Sequence, residues 1–373
     1  MQFQAPFRHS KSISTSISAP RFTSPCYASA SAVFLAATLA ATTGCGSGVL
    51  GTASAPQNIA TPVASANGPQ LGYLWVDSDK TLRPILGVAG ASQVGQSVVP
   101  TGVYVGATAS ATASIAILQD TTGAFDVMSL PSGSPASLGV SLPTGARIRL
   151  SPSATTALLY TPGAAAASLI TGLPLTPAVH AINAPGAIAD SAVSDTGSVS
   201  FEYAQGSSFA LAVTALSGVS TPLSSLKSPG GLNFLPGRDD LLFADAAANS
   251  LTLIRSTTTA PVTSPVQTAQ LLNSPSAVGV SGSGRWAIVV NSAASSSQNL
   301  VRVDLTALTG TAVSCSCQPT LASTLADDGA FRVTNAITGP NWIVDAAPAT
   351  PRLLFIPALP ASTKTSLVAS VVP

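Results

Sequence analysis

A block of sequence returns about every 44 residues through most of this chain, and it constrains the fold more than any other feature. Tight-turn tetrapeptides begin at Ser151, Ser194, Leu235, Ser281 and Ala326, so successive starts lie 43, 41, 46 and 45 residues apart. Each turn precedes a short apolar run, a gap of small residues and a second apolar run. A repeat of roughly 40 to 50 residues with that content is the signature of β-propeller blades, because one such unit cannot bury its faces alone and must stack on neighbours.

The clearest unit reads as four short strands: residues 277–280, residues 285–291 after the turn, residues 299–305, and residues 311–316. Its second strand, Arg285-Trp286-Ala287-Ile288-Val289-Val290-Asn291, is almost uniformly apolar, as are residues 157–160 and 241–244. In a run this short, unbroken hydrophobicity implies burial on both faces, which places Trp286, Ile288, Leu242 and Leu158 in the core. Third strands align at residues 168–171, 209–213, 250–254, 300–303 and 353–356. An earlier copy takes residues 100–102 as its turn, with residues 103–105, 114–118 and 125–128 as second, third and fourth strands. Ahead of it, residues 71–76 and 81–86 flank Asp77-Ser78-Asp79-Lys80 as a hairpin-like pair. That pair reads as part of a seventh blade, completed by residues 366–371, so that the ring joins its two ends and leaves few open sheet edges. The expectation is an all-β chain, a β-propeller of seven blades with six as the alternative count, over residues 69–373.

The N-terminus reads differently. Arg8, Lys11 and Arg21 precede any acidic residue, and residues 28–41 are uncharged and largely apolar before Thr43-Gly44-Cys45-Gly46. A basic segment, a short apolar segment and small residues at its end describe a secretory leader. The apolar stretch is shorter than the ~20 residues needed to cross ~30 Å of hydrocarbon, although the uncharged run continues to Leu50 and leaves an uncleaved anchor as an alternative. Thr43-Gly44-Cys45-Gly46 resembles the bacterial lipoprotein processing site, which makes Cys45 the candidate lipid anchor, with ordinary cleavage as the other outcome. Residues 1–45 are thus expected to be a leader, and the Ala-, Ser-, Gly- and Pro-rich residues 46–68 a flexible tether. The expected location is outside the cytoplasm, in the periplasm or cell envelope, held to a membrane through the N-terminus.

Charge narrows the function classes. Only 8% of residues are charged, with a net charge of +1, against roughly 25% in an average protein. No basic stripe is present to neutralise phosphates, which argues against nucleic acid as a partner. Disorder is also disfavoured, since 46% of residues are apolar and disordered chains combine low hydrophobicity with high net charge.

Few side chains suited to catalysis are available. His180 is the only histidine beyond the leader and Glu202 the only glutamate in the chain. There is no G-x-S-x-G nucleophile elbow, and Asp239-Asp240 and Asp327-Asp328 sit where aspartate is common in turns. Asp77-Ser78-Asp79 starts like a calcium loop but lacks the later Gly and Glu. The formal G-x-G-x-x-G at Gly46, Gly48 and Gly51 has neither strand nor helix around it. Cys315 and Cys317, two apart on an expected strand, read as small core residues or a local redox pair. No catalytic residue, metal site or cofactor is assigned. A binding face is suggested instead by Tyr160, Tyr203, Asp245, Asn291 and Asn335, which fall nine or ten residues after their turn starts. Blades related by rotation place such residues on a ring. The structural alternative is that they end strands and satisfy backbone groups.

The arrangement of turn, apolar strand and Asn or Asp at residues 281–291, with Arg332-Val333-Thr334-Asn335 closest to the tetrapeptide that names the family, resembles the YVTN and lactonase-like bacterial propellers. That resemblance covers residues 70–360 and implies a fold more than a function. The expected role is an exported, membrane-tethered binding or scaffold module for a protein or glycan partner. The alternative is a lactonase-like hydrolase that gathers Asp or Asn ligands, and a divalent metal, around the channel.

Overall fold

A computed structural model describes residues 68–268, 270–292, 298–335 and 339–358. The leader, Cys45 and residues 366–371 lie outside the described residues. The described chain is built of strands and contains no helix. It forms seven antiparallel sheets in chain order: β1(Gln70–Val76) to β3(Ala91–Val94), then six four-stranded sheets. The second blade runs from β4(Tyr104–Ala109) through β5(Ile115–Asp120) and β6(Ala124–Ser129) to β7(Ala136–Ser141). The third runs β8(Arg147–Leu150), β9(Thr156–Tyr160), β10(Ala166–Thr171), β11(Ala178–Asn183), and the fourth β12(Ile188–Val193), β13(Val199–Gln205), β14(Ser208–Thr214), β15(Ser220–Leu226). The fifth comprises β16(Pro229–Phe234), β17(Leu241–Asp245), β18(Ser250–Arg255) and β19(Val262–Pro265). The sixth comprises β20(Pro275–Val280), β21(Trp286–Asn291), β22(Leu300–Asp304) and β23(Thr309–Val313). The last comprises β24(Ser323–Thr324), β25(Ala330–Arg332), β26(Asn341–Asp345) and β27(Arg352–Ile356).

The first strand of each blade is the innermost. β1, β4, β8, β12, β16, β20 and β24 contact one another in succession around the axis, and Ala326 N–H donates to the Leu71 carbonyl at 2.8 Å where the last blade meets the first. The molecule is therefore a closed seven-bladed β-propeller.

The core is not one mass but seven layers, one between each pair of neighbouring blades. The unbroken second strands divide their residues between two of them. Leu158 and Tyr160 face the fourth blade with Phe201 and Tyr203, whereas Ala157 and Leu159 face the second blade with Ile117 and Phe125. In β21 likewise, Trp286, Ile288 and Val290 pack on Phe331 and Val344, and Ala287 and Val289 pack on Leu242 and Leu253. Trp286, Ile288, Leu242 and Leu158 are all buried, as continuous hydrophobicity predicts. The layer between last and first blades, with Leu71, Leu74 and Ile85 against Leu325, Ile343 and Ile356, closes the ring by face-to-face packing.

Two strand registers differ from the sequence expectation. Tyr104-Val105 belongs to the first strand of its blade, so residues 115–118 are in the second strand and 125–128 in the third. The turn that matches Ser151 begins at Ser110 and contains no glycine; Ser114 takes the left-handed conformation there, φ 50°, where later blades use Gly197, Gly237 and Gly284. In the last blade, Asn341–Asp345 is the third strand and Arg352–Ile356 the fourth. Cys315 and Cys317 lie just beyond β23 rather than on it, but they are buried in the layer between the sixth and last blades and joined in a disulfide with a Cα–Cα distance of 5.0 Å, in keeping with the reading as core residues or a local redox pair.

Candidate binding site in the channel

A cavity of about 580 Å³ runs between the innermost strands of six blades, β4, β8, β12, β16, β20 and β24. Close approach of these strands requires glycine at two points. A Cβ at Gly231, φ +95°, would stand 2.9 Å from the Ala277 backbone, and one at Gly279 would stand 2.5 Å from the Ala322 carbonyl oxygen. Most of the lining is small or neutral. Its charges are Arg147, Arg149 and Asp190.

These three groups meet because of strand geometry. Alternation along β8 sends Arg147 and Arg149 to the same side, while Ile148 and Leu150 pack toward the second blade. In β12 the register skips a residue between Ile188 and Asp190, and such a bulge re-aims the side chain beside it. Asp190 Oδ1 accepts from Arg149 Nη2 at 2.5 Å, from the Tyr160 hydroxyl at 3.0 Å and from Ser191 N–H at 2.9 Å. Arg147 Nη1 is 3.7 Å from the same oxygen. Two guanidinium groups thus share one carboxylate oxygen, and both keep substantial exposure, 49% and 41% of their side chains. Arg149 Nε has no hydrogen-bond partner. Burial works against the Arg149 charge, but Asp190 and Tyr160 outweigh it and hold the guanidinium more firmly cationic. Burial raises the Tyr160 hydroxyl pKa, which keeps that group a donor.

Behind Asp190, across the β12–β13 ladder, lies Glu202, fully buried. Neither carboxyl oxygen makes a hydrogen bond of good geometry. Burial, with the nearby charge of Asp190, pushes its pKa well up, and the backbone N–H groups of Gly230 and Gly231 only partly offset that. Burial and the Asp190 carboxylate beside it thus favour the neutral, protonated form of Glu202. A second cavity of about 420 Å³, between the ends of β1, β4 and β8, is also lined by Arg147 and Arg149, with Trp75, Asp77 and Gln119.

The five residues singled out by their equal offsets lie in the far half of second strands or just beyond them, one strand out from the innermost ring. Tyr160 is drawn into the charged cluster through its hydroxyl, and Tyr203 packs in the same interblade layer. Asp245 accepts from the N–H groups of Lys227, Ser228 and Ala248. Asn291 accepts from Asn273 N–H and donates to the carbonyls of Leu271 and Gln298. Asn335 accepts from Arg332 Nη1. The structure does not bring Asp245, Asn291 or Asn335 into contact with the arginine cluster.

Arg147, Arg149 and Asp190 were missed, although a signal for them exists. Counting back four residues from the turn starts Ser110, Ser151, Ser194, Leu235 and Ser281 gives Gly106, Arg147, Asp190, Gly231 and Ala277. The charges at this inward position fall in two adjacent blades and are opposite in sign.

His180 stands on β11, the outermost strand of its blade, with Nε2 3.1 Å from Thr171 Oγ1. The acidic turn residues join neighbouring blades. Asp195 accepts from Ser153 N–H and Oγ–H on one side and from Gly237 N–H on the other, Asp239 accepts from the Thr196 hydroxyl, and Asp328 accepts from Ser283 N–H. Among the described residues, no three His, Cys, Asp or Glu side chains converge as metal ligands.

No known family matches the sequence, and no characterised protein matches it closely enough to be called a relative. Solved structures do match the fold. A functionally unknown protein from Desulfotomaculum acetoxidans aligns with a TM-score of 0.54 at 11% identity, covering 78% of this chain and 100% of its own. A putative 6-phosphogluconolactonase from Bacteroides fragilis aligns with a TM-score of 0.53 at 11% identity, covering 79% of this chain and 95% of its own. At this identity the likeness is one of architecture: the chain is a seven-bladed β-propeller with a lactonase-like propeller among its structural neighbours.

Proposed function

We propose that this chain is an exported propeller, tethered to a membrane through its N-terminus, that serves as a binding or scaffold module with its ligand face at the central channel. The observation that carries this reading is the position of the side chains able to act as base or nucleophile. His180 is on an outer strand, Cys315 and Cys317 are joined in a disulfide, Glu202 is sealed between blades, and Asp190, the carboxylate in the channel lining, is tied up by Arg149, the Tyr160 hydroxyl and Ser191 N–H. General-base or nucleophilic chemistry needs such a group within reach of substrate, whereas recognition needs only the donors and shape that the channel offers.

The second reading, a lactonase-like hydrolase, draws on the likeness of fold to the putative 6-phosphogluconolactonase. Incubation of the purified protein with five- and six-membered lactones, with and without Ca²⁺, Mg²⁺ or Zn²⁺, separates the two. The module reading expects no turnover above buffer; saturable turnover would replace it with the hydrolase. Export and tethering are tested by mass spectrometry of the native product. The expected mature chain lacks the leader and carries a lipid on Cys45 or a new N-terminus near it; a cytoplasmic chain retaining Met1 would refute them.

A further inference from the structure

We infer that Arg147 and Arg149 form an anion seat in the channel, suited to a small molecule bearing a carboxylate or phosphate group. The inference rests on the binding-module reading and names the chemistry of its ligand. Each guanidinium presents several N–H donors in a planar fork that matches two oxygens of a carboxylate or phosphate. In the protein the two forks share a single acceptor, Asp190 Oδ1, which already takes the Tyr160 hydroxyl and Ser191 N–H. Donors therefore outnumber acceptors, and both side chains stay substantially exposed in the cavity lining.

The charge count points the same way. Two cations face one anion, because the other carboxyl of the pair, Glu202, is buried behind the strand and does not reach the lining. Asp77 lines the adjoining cavity but is engaged by the Trp75 indole N–H and the Lys80 ammonium. One uncompensated positive charge thus remains at a partly enclosed wall, where low dielectric strengthens its pull on an anion. The remaining lining of the 580 Å³ cavity is short and mostly uncharged, as at Thr108, Asn233, Ser276 and Ala277, so nothing else there repels an anion. A volume of that size takes a small organic molecule rather than a polymer segment.

The test uses the purified full-length protein and four probes, acetate, inorganic phosphate, glucuronate and neutral glucose, read by isothermal titration and by shift of the melting temperature. Saturable binding of glucuronate or phosphate at millimolar concentration is expected, with glucose silent. Acetate distinguishes a bare carboxylate requirement from one that also needs the sugar ring. Arg147→Gln is the primary variant, since its half-exposed side chain and long ion pair make it dispensable for folding. It should weaken anion binding about tenfold or more, the usual worth of a charge-assisted contact, while Arg147→Lys recovers part of the loss. Asp190→Asn should act in the opposite sense and tighten binding, because it releases both forks, a response that a purely structural role for Asp190 does not produce. Arg352→Gln, on the rim, should leave binding unchanged. Absence of binding by every anion at millimolar concentration, equal binding of glucose and glucuronate, or unaltered affinity in Arg147→Gln overturns the seat. Binding that maps elsewhere on the propeller overturns the seat while leaving the module reading in place.

Discussion

At the scale of single residues, burial and charge decide what each group can do. Glu202 shows this most directly. Its pKa is raised in the folded protein, so as pH rises above the ordinary carboxyl range the unfolded chain releases its proton while the native state still holds it. Native stability relative to a neutral side chain therefore falls as pH climbs between the ordinary and the native values. Glu202→Gln should be near neutral in acid and increasingly stabilising toward neutral pH, as followed by urea unfolding across a pH series; a variant less stable at every pH would mean that the carboxyl makes native contacts the amide cannot. Trp286 has a different role, filling the layer between the sixth and last blades with the Arg302 guanidinium 3.9 Å from its ring centroid. Trp286→Ala should cost about 3 to 5 kcal/mol, and a loss under about 1 kcal/mol in the same assay would contradict the packing described. Both residues were visible in the sequence, Trp286 as part of an apolar run and Glu202 as the lone glutamate. Only the first came with a reason to place it, because a single acidic residue carries no periodicity.

At the scale of strands and turns, blades are joined by their acidic turns as well as by their cores. Asp195 spans three successive blades, holding Ser153 on one side and Gly237 on the other. Burial opposes its charge, but the hydrogen bonds from Ser153 and Gly237 prevail and lower its pKa. A lowered native value means stabilisation that is fully present above the ordinary carboxyl range and lost as pH falls through the native value. Asp195→Ala should cost about 1 to 2 kcal/mol at neutral pH and flatten the loss of stability in acid; equal acid sensitivity in wild type and variant would assign that sensitivity to other carboxyls. The same turns explain how far the blades could be read beforehand. In the blades that turn at Ser151, Leu235 and Ser281 the expected second and third strands coincide with those of the structure, whether or not a glycine marks the turn, whereas in the last blade, despite Gly329, residues 353–356 fall in the fourth strand. In the second blade the sequence places the turn at residues 100–102 rather than at Ser110 to Ser114, which sets that blade one strand out of step. The bulges near the starts of β1, β4 and β16 carry glycines, Gly72, Gly106, Gly230 and Gly231, but those near the starts of β12 and β20 have no such residue signature. The bulge in β12 was therefore invisible, and with it the inward aim of Asp190.

At the scale of the whole molecule, the period of about 44 residues fixes the blade, and blade number follows from how many copies close around an axis, a long-range property that the spacing alone left between six and seven. Closure also makes one of the seven interblade layers unlike the rest. Every other pair of neighbouring blades is consecutive in sequence and tethered by a short connection, whereas among the described residues the last and first meet through packing and contacts such as Ala326 N–H to Leu71 carbonyl. Separating tethered blades strains the connection; separating the last from the first strains none among the described residues, so partial opening should begin there. Ile343 is fully buried in this closing layer, and Leu211 holds the equivalent degree of burial between the fourth and fifth blades. Ile343→Ala and Leu211→Ala should each cost about 2 to 5 kcal/mol, yet their hydrogen-exchange signatures should differ. Ile343→Ala should speed exchange chiefly in β1 to β3 and β24 to β27 under conditions where the other blades stay protected, and Leu211→Ala should lower protection across the ring together. Uniform loss of protection in both variants would show that the propeller opens as one cooperative unit and that its non-covalent closure is no weaker than its tethered interfaces.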